Sequence, residues 1–297
     1  MKIFIIGSLN MDLVIKAPYA PENGETISGS GFMTNPGGKG ANQATAVGKL
    51  GGNAYMVGCV GDAFGEQLKS TLNGYNVNTD FVSEQKDISS GIAVIVVVDG
   101  DNRIILDAGA NGRVNQQIID SALNSASAGD YLVCQLEIPQ ESVKYALSRA
   151  KEIGMITVLN PAPAAKLLPD MLSYCDYFIP NQSEAKFYTG IYPQDEQSAT
   201  ECANVLKNQG VKNVVITMGT KGSVCLAQNE FIKVDSFKVE AIDTTAAGDT
   251  FVGALVTGLS EGMKIKRAMT FASKASSLTV TKRGAQQSIP FRKDINL

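Results

Sequence analysis

The segment Asp243-Thr244-Thr245-Ala246-Ala247-Gly248-Asp249 sets an acidic side chain behind three small residues at what reads as the start of a helix. Small side chains at Ala246, Ala247 and Gly248 leave backbone N–H groups uncovered at the positive end of the helix, where an anion is favoured. A carboxylate beside an anion hole suits a base that takes a proton from a nucleophile while the anion is attacked. Phosphoryl transfer has this need, because charge on the phosphate must be stabilised and the attacking hydroxyl oriented. The structural alternative for Asp249 is an ordinary acidic residue in a first turn. The chain contains no histidine, which excludes a Ser-His-Asp triad and any histidine base. Proton transfer then falls to a carboxylate, lysine, tyrosine or cysteine.

Other polar clusters could complete such a site. Gly37-Gly38-Lys39-Gly40-Ala41-Asn42-Gln43-Ala44 lacks the spacing of a P-loop, and no Ser or Thr follows the lysine. It reads either as a flexible loop before a helix or as a glycine loop that lets a polyhydroxy substrate approach the backbone, with Lys39 and Asn42 as donors. In Ser8-Leu9-Asn10-Met11-Asp12, alternation puts Asn10 and Asp12 on one side, where amide and carboxylate together suit vicinal hydroxyls. Gln135-Leu136-Glu137 ends a buried run, and ligands of open α/β sheets bind beyond the carboxyl ends of strands. Asn181 and Glu184 read either as a helix cap with a first-turn acid or as a phosphate contact and a water-mediated Mg²⁺ contact. Thr217 to Gly222 is a turn that could also touch nucleotide phosphates.

The elements that must position these clusters are legible as alternating apolar runs and amphipathic stretches. Runs at 3–6, 54–57, 132–136, 156–159, 177–179 and 214–217 read as buried strands. Helical patterns lie near 41–50, 64–74, 115–127, 140–152, 198–209, 247–260 and 264–281. This alternation predicts a Rossmann-like three-layer α/β/α fold with a central, mostly parallel sheet. Residues 12–36 and 91–107 break the rhythm, the second around an Asp99-Gly100-Asp101 turn, and are expected to form a small antiparallel β lid. No linker or repeat divides residues 1–297, so one domain carrying that lid is expected.

Composition narrows the function further. The net charge of -3 and the scattered basic residues offer no stripe for nucleic acid and no membrane-surface segment. The five cysteines lack any Cys-x-x-Cys pair and read as buried thiols of a reducing compartment, and a zinc site of the usual Cys/His type is not expected. The apolar run at 3–6 meets Asn10 and Asp12 too soon for a signal peptide, so the cytoplasm is the expected location.

Taken in order along nearly the whole chain, these motifs resemble the ribokinase-type carbohydrate kinase family. Those that carry the resemblance are Gly7 to Asp12, Gly37 to Ala44, Gln135 to Glu137, Asn160-Pro161-Ala162-Pro163-Ala164, Asn181 to Glu184, Thr217 to Gly222, Asp243 to Asp249 and Thr281 to Pro290. The resemblance implies ATP-dependent phosphorylation of a sugar, D-ribose at O5 first among the candidates. Related alternatives are 2-deoxyribose, fructose or a nucleoside, and a non-catalytic sugar- or nucleotide-binding regulator on the same fold. It implies that Asn10, Asp12, Gly38, Lys39, Gly40, Asn42 and Glu137 hold the sugar, that Asp249 is the base, and that Ala246, Ala247 and Gly248 bind the transferring phosphate. Asn181, Thr217, Gly219, Lys221, Gly222, Gly248 and Ser273 would contact ATP, although Ser273 stands where relatives often carry His or Asn. Glu184 would serve Mg²⁺ through water. A monovalent cation, K⁺ by preference, would take its shell from Asp243, Thr245, Thr279, Lys282, Gly284 and Ser288. A homodimer through the β lid is the implied assembly.

Overall fold

The structure is a computed structural model describing residues 1–99, 101–227 and 230–297. The strands of the main sheet are β1 (Lys2–Ile6), β4 (Asn53–Val60), β5 (Val77–Glu84), β8 (Tyr131–Cys134), β9 (Ile156–Leu159), β10 (Tyr177–Phe178), β11 (Asn213–Thr217), β12 (Ser223–Ala227) and β13 (Glu230–Val234). The helices are α1 (Lys39–Lys49), α2 (Gly65–Gly74), α3 (Gln116–Leu123), α4 (Gln140–Ile153), α5 (Gln182–Thr189), α6 (Glu196–Asn208), α7 (Ala247–Ser260) and α8 (Ile265–Thr279). A second sheet holds β2 (Asn10–Lys16), β3 (Ser30–Gly37), β6 (Gly91–Val98) and β7 (Asp101–Asp107).

The main sheet runs β13-β12-β11-β10-β9-β8-β1-β4-β5, parallel from β11 to β5 and antiparallel at β12 and β13. Its strands are buried on both faces because each successive side chain meets a different layer of helices. Ile3 and Ile5 of β1 join the core formed with α1, α2, α7 and α8, whereas Phe4 and Ile6 join the core formed with α3, α4, α5 and α6. The expected three-layer α/β/α arrangement is therefore present. β5 and the edge strand β13 were not anticipated: β5 mixes Asn78, Thr79 and Asp80 into its apolar positions, and β13 is a short, half-exposed edge.

The separate small sheet is also present, in the order β3-β2-β6-β7. Its outer pairings, β2 with β3 and β6 with β7, are antiparallel as expected, but its central pairing of β2 with β6 is parallel. The parallel pair arises because β2 and β6 both leave the main sheet in the same direction, from Leu9 after β1 and from the 85–90 loop after β5. The hairpin pairs Val98 with Asp101, and Gly100 of the expected turn lies outside the described residues. β7 is exposed along its length. No helix among the described residues is long and apolar enough to cross a membrane.

Candidate active site

The polar clusters meet where the parallel strands end and α1 and α7 begin. α1 starts without a side-chain cap, at Gly38 with φ of 89°. A Cβ on Gly38 would lie 2.8 Å from the Asn10 nitrogen, and one on Gly40 would lie 2.6 Å from the Ser8 nitrogen. Only glycine permits this positive φ and this approach of the loop to the end of β1. The Ser8 carbonyl then accepts from Ala41 N at 2.9 Å, and the Ser8 hydroxyl donates to Glu137 Oε2 at 2.6 Å. Lys39 N also donates to Glu137 Oε2, at 3.1 Å. Gly38, Lys39, Gly40 and Glu137 are thereby tied to the segment after β1 that leads into β2, which carries Asn10 and Asp12.

Asn111, part of no motif, organises Asn10. It is buried, donates to Asn10 Oδ1 at 2.7 Å, and exchanges hydrogen bonds with both backbone groups of Leu9. Asn10 Oδ1 is thus occupied and its amide nitrogen is left to serve as a donor. Burial, with the Glu137 carboxylate beside it, pushes Asp12 up to about 7. Burial would lower Lys39, but the carboxylates of Asp249, Glu137 and Glu184 outweigh it and hold the ammonium above its usual value. Lys39 is therefore the charge shared by Glu137, Asp249 and Glu184.

Asp249 lies in the first turn of α7 and is 7% exposed. Its Oδ2 accepts from Asn42 Nδ2 and its Oδ1 from Gln43 Nε2, both at 3.0 Å. α7 has no side-chain cap, and its first turn begins from Ala246 in the left-handed region at φ of 60°. Its first i→i−4 bond is Thr250 N to the Ala246 carbonyl at 2.8 Å. The N–H groups of Gly248 and Asp249 have no hydrogen-bond partner among the described residues, and open space faces the α-carbon of Gly248. The first turn of α7 therefore leaves two N–H groups unpaired beside the Asp249 carboxylate, an arrangement that suits an anion.

A cleft of about 1230 Å³ opens beside that terminus. Asn181, Thr217, Gly219, Lys221, Gly222, Gly248 and Ser273 all line it. Lys221 Nζ donates to the carbonyl of Gln194, which lines the same cleft, at 2.8 Å. Asn181 and Glu184 form a reciprocal capping box on α5: Glu184 N donates to Asn181 Oδ1 at 2.9 Å and Asn181 N to Glu184 Oε2 at 2.8 Å. Burial raises Glu184 despite the Asn181 N–H and Lys39, and Asp249 adds to the rise. Its Oε1 has no hydrogen-bond partner among the described residues, which suits a hydrated cation held through water rather than by direct protein ligands. No cluster of three or more His, Cys, Asp or Glu that could hold a metal occurs among the described residues.

Behind the anion-binding turn, Asp243 joins two segments. It accepts from Thr245 N and Gly284 N, both at 2.9 Å. Burial raises its pKa, but the Thr245 and Gly284 donors and Arg283 prevail and hold it below the usual value. The amides of Ile242 and Asp243 donate to the Val280 carbonyl at the end of α8, and the Thr279 hydroxyl bonds that of Thr250 at 3.0 Å. Thr279, Lys282 and Gly284 follow along the same strap, with Ser288 buried at its end. Asp243 is the one carboxylate among these residues, and the others offer hydroxyls and backbone carbonyls, donor types that suit a weakly hydrated monovalent cation.

Residues 1–292 match the family described as pfkB family carbohydrate kinase. The chain belongs to the pfkB family of carbohydrate kinases. It is an ATP-dependent carbohydrate kinase. It is 42% identical over 302 residues to the ribokinase of Schizosaccharomyces pombe, covering 98% of this chain and 95% of that protein. It is 34% identical over 301 residues to the deoxyribokinase of Salmonella typhi, covering 100% and 98%. The solved structure of Arabidopsis thaliana ribokinase complexed with ribose and ATP superposes with a TM-score of 0.92 at 30% identity, covering 98% of this chain and 96% of that one. Gln43, Gln135 and Asn160 stand in the motifs quoted above without a role of their own, and Asn111 stands in none. Most of their hydrogen-bond partners lie 92 to 206 residues away, so no local pattern could have assigned those contacts.

Proposed function

We propose that this kinase transfers the γ-phosphoryl group of ATP to O5 of D-ribose, giving D-ribose 5-phosphate and ADP. The observation that supports this most is the position of Asp249, on one side bonded to the sugar loop through Asn42 and on the other adjoining the bare N–H groups of α7. In this reading Asn10, Asp12, Gly38, Lys39, Gly40, Asn42 and Glu137 bind the sugar hydroxyls. Asn42 Oδ1 is buried with no hydrogen-bond partner among the described residues.

Asp249 accepts the O5 proton as the O5–Pγ bond forms. The bond between Pγ and the bridging oxygen breaks in line, and its electron pair leaves with ADP. The helix start at Ala246–Gly248 stabilises the charge on the transferring phosphoryl oxygens through its unpaired N–H groups, Ala247 N being bonded to the Thr244 carbonyl at 3.2 Å; such stabilisation is the largest contribution these sites make. Asn181, Thr217, Gly219, Lys221, Gly222 and Ser273 receive the nucleotide. Mg²⁺, bound with ATP, supplies counter-charge to the phosphates, and Glu184 would hold it through water. A monovalent cation, K⁺ by preference, would be held by Asp243, Thr245, Thr279, Lys282, Gly284 and Ser288, bracing the anion-binding turn.

The small sheet acts as a lid of a single domain, and its exposed Ile104, Ile105 and Leu106 suit a second copy of the chain. The free, buried cysteines suit the cytoplasm. The likeness to a deoxyribokinase supports 2-deoxyribose as the second reading. A sugar panel read by ADP release, with and without K⁺, separates the two. Ribose is expected to give the highest kcat/KM; a higher value for 2-deoxyribose or fructose would replace it.

A further inference from the structure

Gln43 has no access to solvent, and therefore none to a sugar or a nucleotide, yet it touches the carboxylate at the centre of the site. A buried primary amide must satisfy its donors and acceptor within the protein. Gln43 Nε2 donates to both Asp249 Oδ1 and Asn160 Oδ1, each at 3.0 Å. Its Oε1 accepts from Gln135 Nε2 at 2.7 Å. Turning the amide over would set Oε1 against two oxygens and the nitrogen against a donor, so one orientation is fixed.

The partners are anchored in turn. Asn160 donates to the Ile179 carbonyl at 2.8 Å. Gln135 Oε1 lies only 2.0 Å from where a Cβ on Gly7 would stand, so this arm reaches Gln43 because residue 7 has no side chain. The chain of amides thus begins at the ends of β1, β8 and β9 and finishes on Asp249.

We infer that Gln43 is the positioning residue of this kinase, aiming and fixing the Asp249 carboxylate from α1 through the Gln135–Gln43–Asn160 amide chain. The inference rests on Asp249 being the base. A purely cohesive role is not needed, because α1 and α7 already approach through small residues: a Cβ on Gly253 would lie 2.5 Å from that of Ala46. Both of Asp249's side-chain partners, Asn42 and Gln43, are donors, one to each carboxylate oxygen, so the plane of the carboxylate is fixed at two points. The other charged groups facing Asp249 are Lys39 and Glu184.

The test is Gln43→Leu, assayed for kcat and KM. Turnover is expected to fall by about 10- to 100-fold, the size seen when an outer partner that orients a reacting group is lost. The sugar KM should stay within about threefold, the split expected of a residue that acts on the carboxylate and not on the sugar. Gln135→Leu leaves Asp249 its donors and removes only the bond that orients Gln43; a smaller fall in kcat is expected. A folded Gln43→Leu enzyme with unmoved kcat overturns the inference. So does a lower melting temperature with unchanged kcat, or a sugar KM raised as much as kcat is lowered. If Gln43→Leu does not fold, a Gln135→Leu enzyme with wild-type kcat overturns it. Full turnover by Asp249→Asn would instead remove the base assignment itself, which separates the two failures.

Discussion

Helices α5 and α7 present their first turns to the same cleft and build them in opposite ways. α5 closes on itself: the Asn181 and Glu184 side chains take each other's backbone N–H groups. α7 takes no side-chain cap and starts from an alanine in the left-handed region. A cap contributes about 1 kcal/mol, and a left-handed residue with a side chain costs about 1–2 kcal/mol. α7 forgoes the first and bears the second, and it stays helical because its body is buried through Phe251, Val252, Ala254 and Leu255. One helix start is self-sufficient, and the other leaves its N–H groups for a ligand.

The carboxylates of the site divide in the same manner. Asp243 is supplied with backbone donors, and these overcome its burial and hold it low. Asp12 has burial and a neighbouring carboxylate, and it rises to about 7.

The sharpest way to break this contrast is to cover the bare terminus. Gly248→Val should lower kcat by about 10²–10³, the scale for loss of a preorganised donor, while sugar binding measured by calorimetry stays within a few fold. A variant with unchanged kcat would show that the N–H groups are not used. The next effect concerns stability against pH. The folded Asp12 has a pKa above its ordinary value, so its penalty is absent below about 3.8, grows as pH rises, and is complete above about 7. Asp12→Asn should therefore gain melting temperature over the parent from pH 5 to pH 8, with the gap widest at the alkaline end; parallel curves would refute the unsatisfied carboxylate. The smallest effect belongs to the capped helix. Asn181→Ala should cost about 1 kcal/mol, read in urea unfolding, and raise the KM for ATP a few fold with little change in kcat. A large loss of kcat there would erase the distinction between the two helix starts.

Much of this was legible in the sequence, for physical reasons that also explain the rest. The small residues before Asp249 and the glycines around Lys39 are local devices, and local devices leave local patterns. The doubly buried strands appear as apolar runs, which is why β1, β8, β9 and β11 were anticipated and the polar-interrupted β5 was not. The parallel pairing of β2 with β6 depends on where distant strands leave the main sheet, and turn residues carry no record of that. Gln43 and Asn111 are ordinary polar residues by type. Their importance comes only from what the fold brings against them.

The central claim is that Asp249 takes the proton at an anion-binding helix start. Replacing its carboxylate by an amide in Asp249→Asn keeps the shape and removes the base. Turnover of ATP with ribose should fall by about 10²–10⁴, with calorimetric sugar affinity within a few fold of the parent. Turnover equal to the parent's, with the fold intact, would contradict it.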